Sequence, residues 1–382
     1  VSNAVQFQAD SFDFSNPAKI NPLFTQGTNS LVYKFENVFM ANDLESAKSI
    51  TADSNSVTFK AVPAMNENGN IDIWMEKIPY QYFTDGTHYD KLAGILDENY
   101  VLDNVLGGQT GKALELYDNL DLITDSKVLG KAMEDLSGEM YANTTRRMED
   151  ISDIFTGSLE VLQNSDNNTK ANVKINVIAG KGKTTENRNG ILPYDYNSVG
   201  ILALREVERT YRHTFGYSLG YLRTDFQFED TNNEDEANTI QLGIHNKYKA
   251  DGWGFKTDLL GRVGFNSTDR EIEWNTGDIS KMSGDYNTYG AALINEVSKD
   301  LEIGKNSKIV PYAGLKLEYG YHTDIKENGA AEELSVDNNY YYSIKPNAGV
   351  ELETAKYFGN SESWKVKMNV GVGYEYELGE TN

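Results

Sequence analysis

The chain contains a few short motifs that could carry chemistry, and the first of them is a serine between two glycines. Residues 216–220 read GYSLG and satisfy G-x-S-x-G, the pattern of a hydrolase nucleophile elbow. That chemistry needs Ser218 on a sharp turn from a strand to a helix, because only such a turn exposes the hydroxyl. Ser218 instead stands inside an uninterrupted alternation of apolar and polar residues, the pattern of a long strand. The sequence therefore predicts no catalytic serine and no enzymatic activity.

Phosphate-binding and metal-binding patterns are equally incomplete. Residues 180–185 read GKGKTT, but the first glycine that a phosphate loop requires falls at Val177. The chain has no cysteine, and metal-ligand spacing is missing among its four histidines, His88, His213, His245 and His322. Its acidic loops lack the fixed glycine and glutamate of an EF-hand. We therefore expect no cofactor and no metal site.

The elements that would position these residues are long strands with two contrasting faces. In the last one, apolar residues occupy every second position from Trp364 to Leu378, with Lys, Asn, Gly and Glu between them. Soluble strands span about five or six residues, whereas a tilted strand that crosses a bilayer needs roughly nine to eleven. About nine such strands follow residue 170, and Tyr and Trp gather at their ends, as at a membrane interface. The fold class is therefore mostly β, an antiparallel transmembrane barrel with lipid outside and a hydrated lumen inside.

Composition and the intervening segments agree with export to a membrane. Polar, acidic stretches that indicate loops in water separate the strands at residues 229–236, 267–285, 326–338 and 359–363. A formal net charge of -23 argues against nucleic-acid binding, which needs a basic surface. The absence of cysteine among 382 residues suits passage through an oxidising periplasm. No run of about eighteen apolar residues indicates a transmembrane helix, and the first residues lack the pattern of a signal peptide, as expected of a processed or partial chain.

The chain ahead of the strands divides into two further regions. Residues 1–100 contain short β-rich runs between Asn, Asp, Ser and Gly clusters, which predicts an irregular or solenoidal β segment. Residues 101–168 are predicted to be a helical linker. Its main helix begins at Asp125 or Ser126, carries apolar residues at three- and four-residue spacing as far as Phe155, and is interrupted at Gly138. Residues 169–382 form the predicted barrel.

Two sets of residues resemble a known family. Residues 131–142 read KAMEDLSGEMYA and are similar to the "AL..LSGE.YA" stretch that precedes the translocator barrel of type V autotransporters. Residues 311–315 (PYAGL) and 343–352 resemble two barrel strands of that family. Together with the order of β-rich segment, helix and strands, the resemblance covers roughly residues 30 to 379.

The resemblance implies a barrel of about twelve strands in the Gram-negative outer membrane, with a pore helix leading to a passenger displayed at the cell surface. The passenger would be an adhesin, and residues 1–100 would be its last part. The implied partners are outer-membrane lipid, the barrel-insertion machinery, and a host-surface or bacterial receptor bound by the passenger. The polar face of the pore helix would carry Lys131, Glu134, Asp135, Ser137, Glu139, Arg146 and Arg147. The lumen charges facing it would be Lys256, Arg262, Lys316, Glu318, Lys345, Glu351, Lys365 and Glu375.

Some features depart from the family, and other interpretations remain. Nine strands is an odd number and the chain ends GETN without an aromatic residue, so we expect about three final strands to be missing. Cyclisation of Asn167 or Asn168 could release the passenger, but a polar turn is the simpler interpretation, and we expect the passenger to stay attached. The alternatives are a porin-like channel without a passenger and a soluble secreted β-rich binding protein whose strands form a sandwich.

Overall fold

The structure is a computed structural model that describes most of the chain in two compact units. The described residues are 5–12, 18–23, 30–42, 50–106, 110–165, 169–184, 190–275, 277–358 and 364–380. The first unit comprises Val1–Glu139, Arg270–Met282 and Asn328–Glu333. The second comprises Met140–Asp269, Ser283–Glu327 and Leu334–Asn382.

Short strands and four helices make up most of the described part of the first unit. Its strands are β1 (Phe7–Gln8), β2 (Ala18–Ile20), β3 (Val32–Met40), β4 (Ile50–Ala52), β5 (Phe59–Met65) and β6 (Ile71–Lys77). Its helices are α1 (Gln81–Thr84), α2 (Asp90–Leu106), α3 (Gly111–Asp121) and α4 (Ser126–Leu136). The strands form a sheet in the order β1-β3-β6-β5, beside a parallel pair of β2 and β4. The predicted N-terminal β segment is therefore present.

A buried ion pair joins the β segment to the helices of this unit. Lys77 ends β6 and lies 3.3 Å from Asp121, the last residue of α3, with both side chains 3 % exposed. Tyr80 and Tyr100 donate hydrogen bonds of 2.8 and 3.0 Å to the Asp121 carboxylate. Burial lowers the pKa of Lys77, and the adjacent negative charge of Asp121 opposes that shift. Because a buried charge is costly without its partner, this pair fixes where β6 meets α3.

The predicted helix is two helices in the structure, and it breaks at Gly138. Asp125 caps α4 by accepting a hydrogen bond from the Lys127 backbone N–H at 2.7 Å. Gly138 has φ of 72°, the left-handed conformation that ends many helices. A 3-10 turn, Glu139–Tyr141, follows, and then α5 (Thr144–Asn164). The apolar residues of α4 are buried in the first unit, whereas α5 belongs to the second.

Most of the second unit is one long antiparallel sheet. Its nine main strands are β7 (Ala171–Lys183), β8 (Tyr194–Thr210), β9 (His213–Phe228), β10 (Glu234–Ala250), β11 (Trp253–Asn275), β12 (Asp278–Lys299), β14 (Ser307–His322), β18 (Asn339–Phe358) and β19 (Trp364–Glu375). The shorter strands are β13 (Leu301–Gly304), β15 (Ile325–Lys326), β17 (Ser335–Val336) and β20 (Leu378–Glu380), while β16 (Asn328–Gly329) belongs to the first unit. The nine main strands pair in chain order, so the predicted antiparallel barrel sheet and its nine strands are confirmed. Within the described residues, β7 and β19 lie at the two ends of this row.

Two of the predicted loops are shorter than the sequence indicated. Residues 229–236 were expected to be a loop, but β10 already begins at Glu234. Residues 267–285 were expected to be another loop, but β11 continues to Asn275 and β12 begins at Asp278. The alternation of buried and exposed residues persists to the end of β11, where charged or polar residues occupy the outward positions. A strand can continue with polar residues where it extends beyond the hydrocarbon layer, because strand geometry does not require apolar side chains. The loop boundaries were therefore wrong because they were predicted from polarity alone.

The two faces of the long sheet are the reverse of those in a soluble protein. Large apolar side chains project outward, such as Val177 and Leu242, which are 72 % and 61 % exposed. The other face buries polar and charged residues, including Gln241, His245 and Lys316. No helix among the described segments has the length and hydropathy of a membrane-spanning helix. An exposed apolar face around a polar interior is expected for strands in lipid and contradicts a sandwich with a dry apolar centre.

Candidate functional site

Helix α5 lies against the polar face of the long sheet and forms the centre of the candidate site. It contacts β7, β8, β14 and β18. Ile151, Phe155 and Leu159 recur on one face of α5 and share an apolar cluster with Leu202 and Leu222 of the sheet. This stripe follows helical spacing and gives α5 its orientation.

One glycine of the G-x-S-x-G motif makes room for this packing. A methyl group at Gly220 would lie 2.7 Å from Phe155 Cε1 and 2.8 Å from Leu202 Cδ1. The glycine therefore allows the Phe155 ring to lie close to the β9 backbone. In this strand the motif serves helix packing, not a nucleophile turn.

The first turn of α5 is held by a buried arginine. Arg147 Nη2 lies 2.8 Å from Asp235 Oδ2 of β10, and both side chains are 2 % exposed or less. Arg147 Nη1 donates to the backbone carbonyl of Met140 at 2.7 Å. The guanidinium carbon lies 5.7 and 5.1 Å from the ring centres of Phe226 and Phe228. A planar cation between aromatic rings and a carboxylate is held by charge, hydrogen bonds and stacking together.

Two lysines of the sheet bind the next turns of α5. Lys316 Nζ lies 2.7 Å from Asp153 Oδ1 and 3.3 Å from Ser152 Oγ. Lys345 Nζ forms an ion pair with Glu149 and lies 3.7 Å from Asp153 Oδ2. Glu149 and Asp153 are four residues apart and so share one face of the helix. Lysines on two neighbouring strands, β14 and β18, therefore bind the same pair of helix carboxylates.

Glu318 organises the charged row beside these lysines. Its carboxylate accepts hydrogen bonds from Arg262 at 2.6 Å and from the Tyr341 hydroxyl at 2.7 Å. Lys316 Nζ lies 2.7 Å from the second carboxylate oxygen. Lys316 therefore contacts Glu318 of the sheet as well as Asp153 of α5. The lumen wall is therefore a connected network of charges.

The last turn of α5 presents its carbonyl groups to two more lysines. Lys247 Nζ donates to the carbonyl of Gln163 at 2.9 Å. Lys174 Nζ donates to the carbonyls of Leu162 and Ser165 at 2.9 and 2.6 Å. Glu206 lies 2.8 Å from Lys174 Nζ and 2.9 Å from Lys247 Nζ. Cations at a helix C-terminus satisfy its free carbonyls and its negative dipole end.

Ser218, His245 and Asp258 form a buried hydrogen-bond chain behind this end of α5. His245 Nε2 lies 2.8 Å from Ser218 Oγ, and His245 Nδ1 lies 2.8 Å from Asp258 Oδ1. These are the distances of a catalytic triad. However, Ser218 lies in the ladder opposite Leu204 and Gly243, where backbone N–H groups pair within the sheet and offer no oxyanion site. Asp258 also accepts a hydrogen bond from Gln163 Nε2 at 2.8 Å, so the chain connects the wall to α5.

A cavity of about 670 Å³ lies beside the same end of the helix. Glu160, Lys256, Glu296, Glu351 and Glu375 are among the residues that line it. Within it Lys256 pairs with Glu296 at 3.1 Å. The mixed charges of this cavity favour water in the interior.

The predicted site residues fall in different places. Arg262, Lys316, Glu318 and Lys345 lie on the polar face beside α5, whereas Lys256, Glu351 and Glu375 line the cavity. Lys365 lies on β19, and its side chain is outside the described part of the structure, as are Asn167 and Asn168. Arg146 and Arg147 begin α5, but Arg146 pairs within the helix, with Glu149 at 2.9 Å and Asp150 at 3.5 Å. The other predicted helix residues, Lys131, Glu134, Asp135, Ser137 and Glu139, belong to α4 and the turn after it, in the first unit.

The helix residues that bind the sheet were missed by the sequence analysis. They are Glu149, Ser152, Asp153, Ser158 and Gln163, together with the sheet residues Lys174, Asp235, Lys247 and Asp258. The sheet residues follow the polar positions of the alternation, which was the available signal for them. The helix residues are polar or charged, as on a solvated helix surface, so only their tertiary contacts distinguish them from such a surface.

Comparisons with known proteins agree with this architecture. Residues 173–382 match the model of the autotransporter beta-domain family, and residues 1–79 match that of the BigA beta sandwich domain. The putative surface-exposed virulence protein BigA of Salmonella typhimurium is 23 % identical over 356 residues, which cover 91 % of this chain and 17 % of BigA. The chain thus spans about a sixth of the length of that relative.

One solved structure shows the same fold. The translocator domain of the autotransporter NalP from Neisseria meningitidis has a TM-score of 0.51 at 16 % identity, over 63 % of this chain and 78 % of that one. The beta domain of the Bordetella autotransporter BrkA has a TM-score of 0.39 at 18 % identity, over 55 % of this chain and 78 % of that one.

A long antiparallel sheet with an apolar exterior and a helix against its polar interior defines an outer-membrane barrel protein. The family match extends over more than half of the chain, which therefore belongs to the autotransporter beta-domain family. The barrel region is a translocator of the Gram-negative outer membrane, and the passenger is exposed at the cell surface.

Proposed function

We propose that residues 169–382 export a passenger and then retain it through α5, held inside the pore by fixed charges. In this proposal residues 1–100 are the end of the passenger, and residues 101–168 connect it to the barrel. The passenger stays attached and acts as an adhesin. Neither the export nor the retention requires an enzymatic site in this region.

The observation that carries the proposal is the set of contacts along α5. Arg147 binds Asp235 near the start of the helix, Lys316 and Lys345 bind its middle, and Lys174 and Lys247 bind its end. Charged hydrogen bonds contribute about 1.5–3 kcal/mol each, more than neutral ones. Contacts spread over the whole helix favour a plug that remains after export.

The partners follow from the surfaces of the chain. The outward apolar face would contact outer-membrane lipid, and the insertion machinery would assemble the strands in the membrane. Similarity to a relative named as a putative surface-exposed virulence protein supports a passenger that binds a host-surface or bacterial receptor. Adhesion of cells that display the intact protein, compared with cells displaying the barrel region alone, would test this part directly.

Retention of α5 can be tested with the double variant Lys316→Ala and Lys345→Ala in the intact protein. We expect the barrel to insert and keep its heat-modifiable gel mobility, because the outer face is unchanged. Loss of the two cations should release Glu149 and Asp153, so that conductance in planar bilayers rises and α5 becomes sensitive to protease.

Lys249→Ala with Lys281→Ala is the matched control, since both of these lysine side chains are well exposed, at 67 % and 71 %. The control should conduct and resist protease like the unaltered protein. A double variant of Lys316 and Lys345 that is inserted but as closed and protected as the control would refute charge-based retention.

A further inference from the structure

Three side chains of metal-ligand type converge in the first unit from separate segments. His88 lies between α1 and α2, Glu134 is in the last turns of α4, and Glu139 begins the 3-10 turn after it. One imidazole nitrogen and one carboxylate oxygen from each glutamate lie within 4.8 Å of one another. His88 Nε2 also contacts Glu139 Oε1 directly. His88 is distant in sequence from the two glutamates, so residue spacing gave no indication of this group.

The backbone around the group is fixed by local structure. Gly138 reverses the chain between the two glutamates with φ of 72°, a conformation that a residue with a side chain rarely adopts. Thr87, next to His88, is tied to the Thr84 carbonyl through its N–H at 2.9 Å and its hydroxyl at 2.6 Å. Such preorganisation is what a metal site requires of its scaffold.

The electrostatics of the group favour a cation. Glu139 is 7 % exposed, so its charge is poorly hydrated. His88 is partly exposed, which leaves a path from solvent to the group. A bound divalent ion would offset both carboxylate charges at once.

We propose that His88, Glu134 and Glu139 bind a divalent transition-metal ion of the zinc class. Zinc accepts histidine nitrogen and carboxylate oxygen at about 2.0–2.2 Å, and three protein ligands leave a fourth position for water. Calcium and magnesium prefer sites built from oxygen ligands alone, whereas His88 supplies a nitrogen ligand. The ion would tie the α1–α2 connection to the turn that directly precedes α5. This site is independent of export and of the identity of the passenger.

Zinc binding by the whole chain in detergent tests the proposal, with a fluorescent chelator as competitor. We expect one Zn²⁺ per chain, together with visible absorption from bound Co²⁺ of low coordination number. His88→Ala and Glu139→Gln should each weaken binding by more than about a hundredfold, beyond what losing a mere supporting partner costs. Glu134→Gln, which keeps the shape of the side chain, should weaken it as well.

His213→Ala is the matched control, because His213 lies on β9 and contacts Asn246 instead of this group. It should bind zinc with unchanged affinity. Protease resistance of the first unit without metal would establish that each variant is folded. If His88→Ala does not fold, Glu134→Gln provides a second test of the ligand set. Zinc affinity that survives both His88→Ala and Glu134→Gln, or equal affinity for Mg²⁺ and Ca²⁺, would overturn the proposal and leave a histidine–glutamate ion pair.

Discussion

The carboxylate of Asp72 lies among three hydrogen-bond donors in the β segment of the first unit. Lys34 Nζ is 2.8 Å away, and the Asn37 N–H and Asn66 Nδ2 donate at 2.8 and 2.9 Å. Burial alone would raise the pKa of Asp72, but these donors together outweigh it and lower the pKa below the ordinary value of 3.8. Because the pKa of Asp72 is lower in the folded than in the unfolded chain, its carboxylate stabilises the fold at pH values above the unfolded-state pKa. That stability is lost as the pH falls through the folded-state pKa.

We therefore expect the first unit to lose stability below about pH 4, and Asp72→Asn to flatten that loss. Urea unfolding at a series of acidic pH values, followed by protease sensitivity of residues 30–79, measures it. Asp53→Asn is the control, because Asp53 is largely exposed and pairs with the exposed Lys19. If the free energy of unfolding fell with pH as steeply in Asp72→Asn as in the unaltered chain, Asp72 would not be the source of the acid sensitivity.

At the scale of single residues, the sequence predicts on which face of a strand a side chain lies but not which side chain it contacts. The polar row of alternating positions included Arg262, Lys316 and Lys345, because alternation alone determines which side of a strand a residue occupies. It could not show that Lys316 binds Asp153 or that Asp258 binds Gln163, since those contacts depend on the position of α5 against the sheet. The same limit hid the proximity of His88 to Glu139.

At the scale of elements, the packing of α5 depends on a small residue in β9. The Phe155 ring occupies the space beside Gly220, and overpacking a filled interior costs about 1–3 kcal/mol. We expect Gly220→Ala to lower the temperature at which the folded, heat-modifiable band is lost in gels. Phe155→Leu in the same chain should recover part of the loss by removing ring atoms.

Gly180→Ala is the matched control, because a methyl group there would meet no atom within 4 Å. It should leave the transition temperature unchanged. If the Gly220 and Gly180 variants melted alike, α5 would not pack against β9 in the way described.

The elements themselves could be predicted where the periodicity was clear. Nine strands and a helix interruption at Gly138 follow from alternation and from the conformational freedom of glycine. The ends of β10, β11 and β12 could not be predicted, because their polar continuations have the composition of loops. The sequence likewise did not show that α4 and α5 belong to different units, since both carry the same apolar spacing.

At the scale of the whole molecule, the outward apolar face determines where the chain can reside. Leu242 is 61 % exposed near the middle of β10, opposite Leu219 of β9. Arginine on the lipid face of a barrel costs about 2–4 kcal/mol at the bilayer midplane and little near the interface. We therefore expect Leu242→Arg in the intact protein to reduce insertion into liposomes of outer-membrane lipid.

Leu301→Arg provides the matched control, because Leu301 is similarly exposed, at 47 %, but lies on the short strand β13 after β12. It should insert normally, as judged by heat-modifiable mobility after incorporation into liposomes. The Leu242 variant distinguishes a face in hydrocarbon from a face in water. If this face met water, an arginine there would leave insertion unchanged or increase solubility. Normal insertion of Leu242→Arg would therefore mean that the exposed apolar rows do not face hydrocarbon.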